Sequence, residues 1–224
     1  MTLLDTLMDA NQEDWQRYVT HPFVRQIGEG TLDAACFEHY LKQDYVFLIH
    51  FARSFGLAVF KSSTIEEIQQ AKSLLTGIVD VELDLHVEYC ERWGLSKEQL
   101  AATVESTSNM AYTRYVMERG LSGDLLDLNV ALAPCIIGYA EVAKWLIAQP
   151  STVRQNNPYD EWITMYASEE YQQVAATHTA ALNKTDPKTL SPQRLQALKN
   201  TFGSATRLEV DFWQMGIDLS LIHI

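Results

Sequence analysis

Along most of the chain, apolar residues recur every three or four positions, and no stretch alternates apolar and polar residues for long enough to read as a strand. Leu4, Leu7, Met8 and Trp15 lay an apolar stripe on a first helix over Leu3–Val19. The HPF triplet at His21–Phe23 interrupts that pattern, and Gly28–Gly30 marks a turn. The spacing then predicts a long helix from Thr31 to about Phe60 and another over Thr64–Trp93, with Gly77 as its weak point. Ser96–Gln99 reads as a capping box opening a short helix. Further helices are expected over Asn109–Arg119, Leu125–Ala148, Tyr159–Leu182 with a break near Ala167–Ser168, and Ser191–Leu221. Pro192 suits the first turn of the last one. Short connections imply antiparallel neighbours, and no linker or repeat divides the sequence. The expected fold is a single all-α helical bundle over residues 1–224.

Within this pattern a few polar groups stand where the periodicity asks for apolar ones. The central stretch Leu128–Val142, LNVALAPCIIGYAEV, is greasy enough for a buried helix. Pro134 should bend it, Cys135 follows at once, and Tyr139 lies one turn on along the same face. A buried free cysteine is ordinarily a small hydrophobe. Asp44, however, has Tyr40 and Leu41 behind it and Phe47 and Leu48 ahead at helical spacing. A buried carboxylate there needs hydrogen-bond donors, from the protein or from a ligand. Glu209 repeats the anomaly beside Ala205, Phe212 and Trp213, and a carboxylate against aromatic surface suits proton transfer near neutral pH. Glu82 and His86 are spaced i, i+4 and read either as two metal ligands or as a structural link between helices. The structural reading is the better supported, because a stable metal site needs about four ligands. Tyr112 and Tyr166 lie in mixed segments that do not separate a core role from a binding one.

Composition narrows the chemistry. The three cysteines, Cys36, Cys90 and Cys135, are sparse and contain no CxxC, which suits a reducing compartment such as the cytoplasm rather than a disulfide framework. The net charge of −12 disfavours nucleic acid and anionic membrane as partners. The N-terminus lacks the pattern of a signal peptide, and no apolar run is expected to span a bilayer. A thiol, two carboxylates and several aromatics together favour a flat ring bearing N–H donors or a basic nitrogen. No Gly-rich phosphate loop is present.

The segments HPFVRQIGEGTL, YLKQDYVFLIHFARSFG, LAPCIIGY, YDEWITMYAS and LEVDFWQMG resemble those of TenA-type thiaminase II, the aminopyrimidine aminohydrolases of thiamin salvage. The resemblance covers nearly the whole chain. It implies a haem-oxygenase-like helical fold without haem or other cofactor, a homotetramer, and hydrolysis of 4-amino-5-aminomethyl-2-methylpyrimidine to the hydroxymethyl compound, with thiamin cleavage as a related activity. Position by position, Cys135 matches the nucleophile and Glu209 the carboxylate that serves ring nitrogen N1. Asp44 matches the residue that holds the amidine edge, Tyr112 and Tyr166 match orienting hydroxyls, and Phe47 and Tyr139 match the aromatic walls. Phe47 stands where some relatives carry tyrosine. Two other readings compete: a metal-dependent oxidase or oxygenase using Glu82 and His86 with His39, His50 or His178, and a pyrimidine-binding regulator without turnover.

Overall fold

The computed structural model describes residues 1–221, apart from the side chain of Val81. The described residues form helices and turns with no strand, as the periodicity predicts. They fall into two compact units, the first of residues 1–32 and 129–214, the second of residues 33–128 and 215–221.

The first unit opens with α1 (Leu3–Ala10), α2 (Gln12–Val19) and α3 (Pro22–Glu29). The expected single helix over Leu3–Val19 is therefore two. The break is at Asn11, whose amide donates to the Leu7 carbonyl at 2.9 Å and to the Lys199 carbonyl at 3.1 Å. An asparagine that bonds neighbouring backbone in this way competes with helix continuation. Pro22 occupies the first turn of α3, and the His21 ring accepts from the Phe23 N–H at 3.2 Å, which is how HPF restarts a helix. Gly30 closes α3 at φ 71°, a left-handed cap that favours glycine.

The second unit is built on α4 (Ala34–Lys61), capped by Asp33. Then come α5 (Ile65–Gly77), α6 (Leu83–Arg92), α7 (Lys97–Ala101) and α8 (Thr107–Ser122). The capping box at Ser96 is present, with Gln99 as its second member. The expected helix over Thr64–Trp93 contains a π-helical turn at Ile78–Glu82, immediately after Gly77. A wider turn carries one extra residue, so it rotates everything after it by about 100° about the helix axis. That rotation sets which face of α6 meets α4.

The remaining helices are α9 (Leu125–Ala148), α10 (Asp160–Ala167), α11 (Glu169–Leu182) and α12 (Pro192–Asp218). Ser168 ends α10 in extended backbone and caps α11, which is the expected break. α9 is continuous across Pro134. Because proline has no N–H, the Val130 carbonyl one turn back loses its usual donor. α9 also corrects one expectation: by length and composition it could cross a bilayer, yet 78 % of its most apolar stretch is buried inside the protein. Its apolarity reflects a core position. In the first unit, the His178 ring of α11 lies 2.9 Å from the Asn129 carbonyl, fastening α11 to the start of α9. The end of the apolar tail Leu219–Ile224, residues 222–224, lies outside the described residues.

Two helical glycines should respond oppositely to alanine. A Cβ on Gly138 would stand 2.2 Å from the ring of Tyr18, which is fully buried and cannot give way. Gly56 has nothing within 4 Å. Gly138→Ala should destabilise by about 1–3 kcal/mol through overpacking, and Gly56→Ala should stabilise by about 0.5–1 kcal/mol. Urea denaturation of both variants checks the pair.

Candidate active site

In the first unit, Cys135 sits on α9 at 8 % exposure and Glu209 on α12 at 1 %. Glu209 is placed as its spacing suggested, with Ala205, Phe212 and Trp213 one turn away and all buried. Trp213 belongs to an aromatic cluster that includes two other candidates. The Tyr139 ring lies 4.8 Å from Tyr166, 5.2 Å from Trp213 and 6.0 Å from Trp162. Phe23 stacks on Trp213 at 5.1 Å. Tilted and edge-on pairs at these separations add to the burial energy and fix ring orientation. Gln172 ties the end of α10 in place, donating to the Tyr166 carbonyl at 2.8 Å. Tyr18 donates to the Pro134 carbonyl at 3.4 Å, next to Cys135.

In the second unit, Asp44 and Phe47 lie on α4 and Tyr112 on α8, all buried. Phe47 and Tyr112 meet at 5.2 Å, and Phe51 lies 5.7 Å from Phe47. What brings them together went unread in the sequence. Gln43, buried beside Asp44, donates to the Val104 carbonyl at 2.9 Å and accepts from the Ser106 N–H at 2.9 Å. Asn109 donates to the Gln43 carbonyl at 2.8 Å. These bonds clamp the start of α8 to the middle of α4, which fixes the register of Tyr112 against Phe47. A glutamine on an apolar face was the available signal, of the same kind as Asp44.

The Asp44 surroundings also assign Glu82 and His86. The His86 ring places Nε2 3.0 Å from the Leu41 carbonyl and Nδ1 3.5 Å from the Asp44 carboxylate, so it links α6 to α4. The link runs to Leu41 and Asp44, while Glu82 enters as a second carboxyl close enough to act on Asp44 electrostatically. Burial, and then the charge of Glu82, push the Asp44 carboxyl well above the usual range, against a hydrogen bond from Tyr40 that favours ionisation. Glu82 keeps an accessible edge but is closely surrounded, and that burial raises its carboxyl to about 7. Burial lowers His86 to about 4, against the Leu41 hydrogen bond, so the ring is neutral at pH 7. Burial and the charge of Asp44 raise the Cys90 thiol to about 12. Burial raises Cys36 as well, so neither of these thiols is a poised nucleophile. Among the described residues, no three His, Cys, Asp or Glu side chains are arranged to hold a metal ion. Both ring nitrogens of His86 face protein oxygens, His178 is committed to α9, and His50 faces Arg114 at 3.0 Å.

A family model described as the TENA/THI-4/PQQC family matches residues 8–219. A Haemophilus influenzae protein described only as uncharacterized is 44% identical over 218 residues, spanning 97% of this chain and 100% of its own. A Halalkalibacterium halodurans protein named aminopyrimidine aminohydrolase is 35% identical over 216 residues, spanning 96% of this chain and 95% of its own. A crystal structure from Silicibacter, described as a TenA family transcription regulator, superposes with a TM-score of 0.90 at 42% identity, covering 96% of each chain. A Shewanella denitrificans domain with a heme oxygenase-like fold superposes at 0.75 with 12% identity, a likeness of fold alone, covering 96% of this chain and 92% of its own.

His178 gives the site's surroundings a measurable pH dependence. Burial lowers its pKa from 6.5 to about 4, so the folded state binds fewer protons than the unfolded one between these values. Its contribution is complete above pH 6.5 and is lost as pH falls towards 4, a swing of roughly 3 kcal/mol. His178→Gln keeps a donor for the Asn129 carbonyl and removes the titration. Denaturation at pH 4, 5, 6 and 7 should show stability falling on acidification in the parent, with a slope smaller by about one proton in the variant.

Proposed function

Because the chain belongs to the TENA/THI-4/PQQC family, we propose that it is an aminopyrimidine aminohydrolase of thiamin salvage that works through a cysteine nucleophile. The observation that carries this reading is the near full-length similarity to a protein of that name. The substrate in this reading is 4-amino-5-aminomethyl-2-methylpyrimidine, and thiamin cleavage is the related activity.

In this reading Cys135 Sγ forms a bond to ring carbon C6 while Glu209 delivers a proton to N1. The electron pair released by this addition then expels ammonia from the exocyclic methylene carbon. Water adds to that carbon, and loss of the thiolate and the N1 proton restores the aromatic ring. The products are the hydroxymethyl pyrimidine and ammonia. Asp44 recognises the amidine edge, formed by the 4-amino group and N3. Tyr112 and Tyr166 orient thiol and substrate, and Phe47 and Tyr139 supply aromatic surface for the ring. An unassisted thiol of pKa about 8.5 is a weak nucleophile at neutral pH, which is why the addition needs a proton at N1. The addition and its proton are each met by a side chain of this chain, and no step calls for a cofactor.

The regulator reading has one observation in its favour, the description of the Silicibacter structure. The net charge of −12 works against nucleic acid as a direct partner. The three free cysteines fit a reducing compartment. We also propose a homotetramer, on the family resemblance and on exposed Phe60 and Leu121, both more than half exposed in the isolated chain. Light scattering at micromolar concentration should give four times the chain mass, and a monomer overturns this.

Turnover of the aminomethyl pyrimidine, followed by product analysis, tests the enzyme. Cys135→Ser should abolish most activity, because a hydroxyl without an activating base is a far weaker nucleophile. Glu209→Gln keeps a hydrogen bond but cannot deliver the proton, and should cost ~10²–10⁴-fold in rate. Near-normal turnover by Cys135→Ser sinks the nucleophile assignment. A parent protein that binds the pyrimidine without turnover favours the regulator.

A further inference from the structure

The second unit contains a buried proton-sharing arrangement that the chemistry above does not use. A carbonyl oxygen only accepts, so the 3.0 Å contact with Leu41 requires the proton of the neutral His86 ring to be on Nε2. Nδ1 then turns its lone pair towards the Asp44 carboxyl at 3.5 Å. Two facing lone pairs repel in a buried site. With the ring neutral, one proton must therefore lie on the Asp44 oxygen that faces Nδ1. The contact is longer than a normal hydrogen bond, so the proton is loosely held. Four titratable groups from three elements face Asp44: Tyr40 on its own helix, Glu82 at the π-helical turn, and His86 and Cys90 on α6. The side chains of both partners are almost sealed, at 8 % and 9 % exposure.

We propose that His86 is a positioning residue for ligand recognition, accepting the Asp44 carboxyl proton at Nδ1 so that the second carboxyl oxygen is held as the acceptor for the 4-amino group of an aminopyrimidine. This rests on the aminohydrolase reading for the ligand but not for the pair itself. The Leu41 carbonyl sets the tautomer, and the extra residue of the π-helical turn sets the face of α6 that carries the ring. Because His86 acts through Asp44, it affects binding more than the chemical step. Its neutral state is essential. An imidazolium carries a proton on Nδ1 and has no lone pair there to accept the Asp44 proton.

Two substitutions separate this role from simple helix linkage. His86→Gln places an amide near Nε2 and keeps the Leu41 bond while losing the partner of Asp44. His86→Asn places an amide near Nδ1 and keeps that partner while losing Leu41. With the aminomethyl pyrimidine as substrate and the hydroxymethyl pyrimidine as calorimetric ligand, His86→Gln should raise KM and Kd by roughly tenfold or more with kcat little changed. His86→Asn should stay closer to the parent. A Gln variant with parental KM and Kd, or an Asn variant more impaired than Gln, overturns the proposal. A third measurement needs no ligand: ¹⁵N NMR of the labelled protein at pH 7 should show His86 neutral with Nε2 protonated, its Nδ1 resonance moving in Asp44→Asn. A protonated ring, or an Nδ1 resonance indifferent to that substitution, also overturns it. If the parent neither binds nor turns over the pyrimidine, the functional reading fails, and the NMR result still decides whether the proton is shared.

Discussion

A helix interior has no backbone N–H to spare, so a buried side chain that needs a donor must find it on another side chain or another element. α4 carries two such residues in succession, Gln43 and Asp44, and the second unit is arranged around satisfying them. Gln43 takes up the start of α8 through Val104, Ser106 and Asn109. Asp44 takes up α6 through His86. Because each of these bonds is directional, they fix register where apolar packing alone would tolerate a shift. The Phe47–Tyr112 contact follows from that register.

The same desolvation that makes these bonds necessary also sets the charge states. It favours neutral forms of both signs, raising Asp44 and Glu82 and lowering His86. The cluster is therefore a set of weak acids and a neutral base, suited to exchanging hydrogen bonds with a neutral heterocycle. The first unit takes the other approach and packs rings along the helix that carries Glu209. Trp213 contacts Tyr139 and Phe23 one turn from Glu209, so the orientation of that helix face is set by aromatic packing. Wide flat side chains restrict a neighbour's movement at little entropic cost, having few rotatable bonds of their own.

The fold is shared more widely than the chemistry. At 12% identity a heme oxygenase-like domain superposes over nearly the whole chain, because apolar periodicity, caps and short connections tolerate almost complete replacement of side chains. A proposal about function therefore rests on particular residues, a cysteine after a proline, carboxyls on apolar faces, and not on the bundle that presents them.

Periodicity and caps determined the all-α class, the ends of most helices, the restart at Pro22 and the break at Ser168, because these depend on contacts within a few residues. The odd placement of Asp44 and Glu209 was legible for the same reason, since each conflicts with its own helix's spacing. Other features depended on the partner rather than the spacing. The division of the first helix depends on Asn11 finding the Lys199 carbonyl, far away in sequence. The π-helical turn adds one residue without changing any local propensity, and so redirects α6 unannounced. His86 read as a structural link between helices, but its partners, Leu41 and Asp44 on α4, were not legible from its own helix. Spacing along one helix fixes which side chains share a face. Which face meets which neighbour, and therefore which polar groups are paired and what charge they carry, is decided only when the helices pack.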